Sequence, residues 1–189
     1  LRSPEGMAFL PDGSMVIAEQ GANRLIRYDL NSKTLMPFLD LPNHTNQLGV
    51  DGILWDGTNL IIPDSPNGTV PEVSADGQTV GQLASGLARP TGACLEPSGD
   101  LLLADENGNA VFRLHRDSSL EKVANFSIPD DVIADASGNI FVITLGDDAI
   151  HQRQQHRVLG RVIEVERRPR DASALRQVVD GDLSEWPLC

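Results

Sequence analysis

Short apolar runs alternate with polar turns along the chain, and no stretch carries a convincing helical period. Four runs resemble one another: residues 4–13, 50–57, 90–99 and 129–138. They open on Pro4-Glu5-Gly6, Val50-Asp51-Gly52, Pro90-Thr91-Gly92 and Pro129-Asp130-Asp131. Each closes on a turn glycine: Gly13, Gly57, Gly99 or Gly138. Their spacings of 44, 42 and 39 residues are those of a repeat unit built from four strands.

A second strand is predicted after each glycine, at Met15–Ala18, Leu60–Ile62, Leu101–Ala104 and Ile140–Ile143. Third strands follow at Arg24–Tyr28, Thr69–Val73, Ala110–Leu114 and Arg161–Val165. Fourth strands follow at Leu35–Leu39, Val80–Leu83, Lys122–Phe126 and Leu175–Val179. Gly, Asp, Asn and Ser at the breaks supply the left-handed positions of tight hairpins.

The expected fold is therefore all-β: one β-propeller domain or segment over 1–189, built from four-stranded antiparallel blades. The blades fall at about 4–45, 46–88, 89–127 and 128–187, with a long polar insertion at 146–160 in the fourth. Pro4 and Pro187 sit at the same phase of the repeat. The four blades either close on themselves or form part of a six-bladed ring. In the second case an oligomer can supply the rest, because open strand edges invite pairing.

Composition narrows the partners. Formal charge is −12, which argues against nucleic acid. No apolar run reaches the length of a membrane span. Cys94 and Cys189 make no disulfide framework, and Cys94 lies in an apolar run that reads as core. There is no Gly-x-Ser-x-Gly elbow, phosphate loop or Cys-x-x-Cys pair.

Residues 18–28, from Ala18-Glu19-Gln20-Gly21 through Asn23-Arg24 to Tyr28, resemble the signature half of an NHL repeat. Residues 104–114 are a weaker copy. The openings Pro4-Glu5-Gly6 and Val50-Asp51-Gly52 resemble the gluconolactonase and senescence-marker-protein superfamily of six-bladed propellers. The resemblance covers most of residues 3–145.

It implies a calcium ion on the central axis, held by residues just ahead of the innermost strands. The matching positions are Glu5, Asp51, Thr91 and Asp130, with Asp131 adjacent. Residues of equal phase do form a ring around a propeller axis, and converging carboxylates repel unless protonated or paired with a cation. Calcium, a hard cation, accepts such oxygen ligands. The pattern departs from the lactonases, which place asparagine at two of these positions where Asp51 and Thr91 stand.

A second set at equal phase, Glu19, Asp64, Asp105 and Thr144, reads as structural, with Glu19 expected to bond Asn23 or Arg24. Asp64 is also a channel candidate, because Pro63-Asp64-Ser65 resembles a strand-end Asp of the lactonases. His44, in a polar connection, is either a general base or a surface histidine.

Two functions are expected. The first is a calcium-dependent lactone or ester hydrolase, with Glu5, Asp51 and Asp130 as catalytic and metal-binding residues and Thr91 as a further ligand. The second is a non-catalytic NHL-type scaffold that binds a protein or glycan.

Overall fold

The computed structural model describes residues 1–42, 48–145, 149–153 and 163–166. They form four antiparallel four-stranded sheets, each traced as consecutive hairpins. The first holds β1 (Pro4–Phe9), β2 (Met15–Glu19), β3 (Arg24–Asp29) and β4 (Thr34–Asp40). The second holds β5 (Leu54–Trp55), β6 (Leu60–Ile61), β7 (Thr69–Val73) and β8 (Thr79–Ser85). The third holds β9 (Pro90–Leu95), β10 (Leu101–Asp105), β11 (Ala110–Leu114) and β12 (Leu120–Asn125). The fourth holds β13 (Pro129–Ala134), β14 (Ile140–Thr144), β15 (Ala149–Arg153) and β16 (Ile163–Glu166). Among the described residues the one helical turn is a 3-10 turn at Gln20–Ala22.

Side-chain alternation explains how the sheets stack. On β10, Leu101 and Leu103 face the second sheet, while Leu102 and Ala104 face the fourth. A strand packed on both sides reads as an unbroken apolar run, which is why Leu101–Ala104 shows no alternation. Val16, Ala18 and Leu25 meet Leu60, Ile62 and Val73 in the same way between the first and second sheets. Cys94 is fully buried in the third layer, as expected of a core residue.

Close approach of the innermost strands has its own sequence requirement. The amide of Gly6 donates to the Asp51 carbonyl at 2.9 Å, and that of Gly52 to the Thr91 carbonyl at 2.8 Å. A β-carbon at Gly6 or Gly52 would lie 2.7 or 2.5 Å from those oxygens. One at Gly92 would lie 2.8 Å from the Cα of Asp131. Only glycine fits where one inner strand crosses so near the next. In the fourth sheet that phase carries Asp131 instead of glycine.

The fourth sheet corrects two sequence-based strands. Its third strand is Ala149–Arg153, inside the stretch read as an insertion, and Ile163–Glu166 is the fourth strand, not the third. Expected strand Leu175–Val179 lies outside the described residues, as does most of 146–160. A second correction concerns phase. Glu5, Thr91 and Asp130 lie on β1, β9 and β13, not ahead of them. Asp51 alone precedes its strand, because β5 is reduced to Leu54–Trp55.

Candidate functional site at the axial end

Every expected axial residue sits at the same end of its innermost strand, beside the neighbouring blade. Asp51 is the best defined of them. Its Oδ2 accepts Gln20 Nε2 from the first blade at 3.0 Å. The same oxygen lies 3.5 Å from the Arg89 guanidinium of the third blade. Arg89 in turn donates its Nε to Glu106 Oε2 at 2.9 Å. Arg89 is 8% exposed, so this guanidinium is buried between two carboxylates. Burial, reinforced by Asp130 and Glu5 and opposed by Arg89, pushes the Asp51 carboxyl up to about 6.

The other expected residues differ in setting. Glu5 is exposed and Asp130 half-buried, and both place negative charge within reach of Asp51. Thr91 is 1% exposed, and its hydroxyl lies 3.5 Å from the carbonyls of Ala104 and Pro129, two backbone acceptors. Asp131 is exposed and accepts the Val132 amide at 2.8 Å. His44 lies outside the described residues.

One strand outward, the carboxylates at the second-strand ends act on backbone and arginine. Glu19 accepts Arg24 Nε and the Arg2 amide, and its carboxyl is held below the usual range by Arg24 first. Asp105 accepts the amides of Ala88 at 2.9 Å, Arg89 at 2.6 Å and Gly108 at 3.2 Å. Asp64 is as buried as Asp105, but among the described residues its side chain accepts only Asn67 Nδ2, on Oδ2 at 2.9 Å, beside Asn67's bond to the Pro42 carbonyl. Among the described residues its Oδ1, though buried, has no hydrogen-bond partner. Burial pushes the Asp64 carboxyl above its ordinary value.

Sequence reasoning did not single out Gln20, Arg89 or Glu106. Gln20 and Glu106 share a phase, directly after Glu19 and Asp105. That repeat position was a usable signal. Arg89 shares its phase with Ser3 and Ile128, as the matching amide bonds of Gln20, Glu106 and Leu145 to these residues show. An arginine at a position otherwise held by small or apolar residues was a second signal.

The calcium site implied by the resemblance does not fit these side chains as they stand. Asp51 already faces a guanidinium, and the Thr91 hydroxyl is placed against main-chain carbonyls. Among the described residues no three Asp, Glu, His or Cys side chains are grouped to hold a metal.

No family model matches the chain, and no curated protein matches it. Solved structures do. Virginiamycin B lyase from Staphylococcus aureus superposes with a TM-score of 0.67 at 16% identity, over 86% of this chain and 55% of its own. A structural-genomics target named as a candidate gluconolactonase gives 0.61 at 20% identity, over 79% of this chain and 59% of its own. A chain of the nidogen/laminin complex gives 0.65 at 17% identity, over 80% of this chain and 59% of its own. This chain has the β-propeller fold. It spans between 55% and 59% of the length of these three propellers. At such identity the likeness carries the fold and no particular chemistry.

Proposed function

We propose that this propeller is a binding scaffold whose axial end takes a ligand rich in hydroxyl or amino donors, such as a glycan. The supporting observation is the network around Asp51. Asp51 and Glu106 flank one guanidinium, Arg89, and Glu5 and Asp130 add negative charge near Asp51, so carboxylates outnumber that cation at this end. A donor-rich ligand complements such a rim, because ionised carboxylates only accept. Among the neighbours, a virginiamycin B lyase was solved with quinupristin and a propeller was solved in a nidogen/laminin complex, so propellers of this shape hold both small molecules and proteins. Among the described residues no helix is long and apolar enough to cross a membrane.

A glycan array read with EDTA present tests this reading. Capture that weakens at least tenfold in Asp51→Asn and Asp130→Asn supports it. Capture that survives both changes, or needs a divalent ion, removes it.

A hydrolytic reading of the same end has one observation in its favour. A carboxyl pushed up to about 6 exchanges a proton near neutral pH, which suits general acid–base work on a lactone or ester. A lactone screen tests that alternative: turnover abolished in Asp51→Asn supports it, and no turnover by the wild-type protein on any lactone removes it.

A further inference from the structure

The axial carboxylates raise a question of charge. Asp51, Glu5 and Asp130 are close enough that the latter two oppose ionisation of the first. Converging carboxylates need a counter-charge. The geometry points to Arg89 as that counter-charge: we propose that its guanidinium is the resident cation of this axial end, in the place where the resemblance implies calcium.

Three observations carry the assignment. Arg89 is buried, and a buried guanidinium persists only when its donors are met by acceptors. Its donors meet Glu106 in its own blade at 2.9 Å and Asp51 in the preceding blade at 3.5 Å. Its backbone is also fixed, because its amide donates to Asp105 and its carbonyl accepts the amide of Glu106. A side chain anchored at both ends in this way is part of the wall, not a passing surface arginine.

The blade joints supply an independent reason for an arginine there. Asn23 Oδ1 accepts the Val50 amide at 2.8 Å, tying the first blade to the second. Asn109 Oδ1 accepts the Ile128 amide at 3.0 Å, tying the third to the fourth. Asn23 and Asn109 both have left-handed φ. The second blade has Gly68 at this phase, with no side chain to offer. Arg89 makes the corresponding tie from the other direction, reaching back from the third blade to Asp51. It therefore serves both as counter-charge and, beside the Ser65 hydroxyl donating to the Pro90 carbonyl at 2.6 Å, as a tie across the joint that lacks this asparagine.

A divalent ion would need Asp51 for itself. Calcium takes six to eight oxygens at roughly 2.3–2.6 Å, and coordination by Asp51 would set it against the guanidinium, like charge beside like charge. The inference uses the same axial end as the proposed binding function but no property of the ligand, so a failed capture experiment leaves it standing.

The test is a set of thermal melts in EDTA and in millimolar Ca²⁺. The wild-type midpoint is expected to be the same in both, within about 1 °C. A calcium-dependent rise of several degrees would overturn the assignment, since a metal at 100 times its Kd is expected to stabilise visibly. Arg89→Met is expected to melt lower in EDTA and to regain part of the loss in calcium, the ion filling the vacated charge. An Arg89→Met midpoint equal to wild type in EDTA would also overturn it. Should Arg89→Met fail to fold, Arg89→Lys keeps the charge and is expected to melt near wild type without responding to calcium. A calcium response in Arg89→Lys counts against the proposal.

Discussion

The second and third blades bury a carboxylate at the same phase, and only one of them puts it fully to use. Asp105 ends β10 and gathers three main-chain amides, two of them, Ala88 and Arg89, on the connection leading into its own blade. Asp64 is equally buried but, among the described residues, holds one side-chain donor and keeps an oxygen without a partner. The consequences differ in sign. A buried charge met by amides fixes the chain around it, whereas one left short of donors costs stability and resists ionisation. The two blades also differ in strand length: β9 and β10 run six and five residues, β5 and β6 two each.

Removing the two carboxylates separates these roles most strongly. Asp105→Ala orphans the buried Arg89 amide and the part-buried amides of Ala88 and Gly108, and is expected to cost about 4 kcal/mol in urea unfolding, given roughly 1–3 kcal/mol for a buried unmet group and less for the others. Asp64→Ala is expected to cost under about 1 kcal/mol, and equal losses would end the contrast.

Acid provides the next lever, because two of the raised carboxyls, Asp51 at the axial end and Asp64 one strand outward, belong to the second blade, while burial also raises Asp131 in the fourth. The Asp51 carboxyl titrates near 6 when folded and near 4 when unfolded, so its deprotonation costs more in the folded state. Its penalty is absent below about pH 4, grows between pH 4 and 6, and is constant above. That amounts to about 3 kcal/mol at most. Glu19 works the opposite way, its contribution being present at neutral pH and lost as pH falls through its lowered range. The difference between wild type and Asp51→Asn isolates the first effect. Stability measured from pH 7 to 4 should rise less, or fall more, in the variant, and parallel curves would refute the coupling.

Sequence logic would copy asparagine into the second blade at Gly68, where its neighbours have Asn23 and Asn109. The structure predicts the reverse. A β-carbon there would lie 2.1 Å from the Leu87 carbonyl oxygen, so Gly68→Asn is expected to destabilise by about 2 kcal/mol in the same assay. A gain in stability would show that the joint can open to admit it.

The smallest effect tests the orphaned oxygen directly. Asp64→Asn removes the buried charge while its amide oxygen can still accept from Asn67 Nδ2. It is expected to raise the melting temperature by a few degrees, about 1 kcal/mol, whereas Asp105→Asn should lower it.

Much of this architecture was legible because propeller strands are written in local code. Left-handed turn glycines stand at Gly13, Gly57, Gly99 and Gly138, with φ from +79° to +102°. The apolar runs between them gave the strands of the first three blades within a residue or two at most ends. The fourth blade misled because Ala149–Arg153 is polar over His151, Gln152 and Arg153, and no alternation marks it as a strand. The acidic axial residues were visible as a repeat phase. Their pairing was not, since Arg89 reaches Asp51 across 38 residues of chain and a blade boundary. Spacing along one blade does not encode which side chain from the next will lean over it.

The glycine rule at the inner crossings also sets terms for anyone who would lengthen this protein. A blade copied from the third and spliced on after the fourth would arrive at Asp131, where a side chain occupies the crossing that Gly6, Gly52 and Gly92 leave free. The graft would need glycine written at 131 before its own strands mattered.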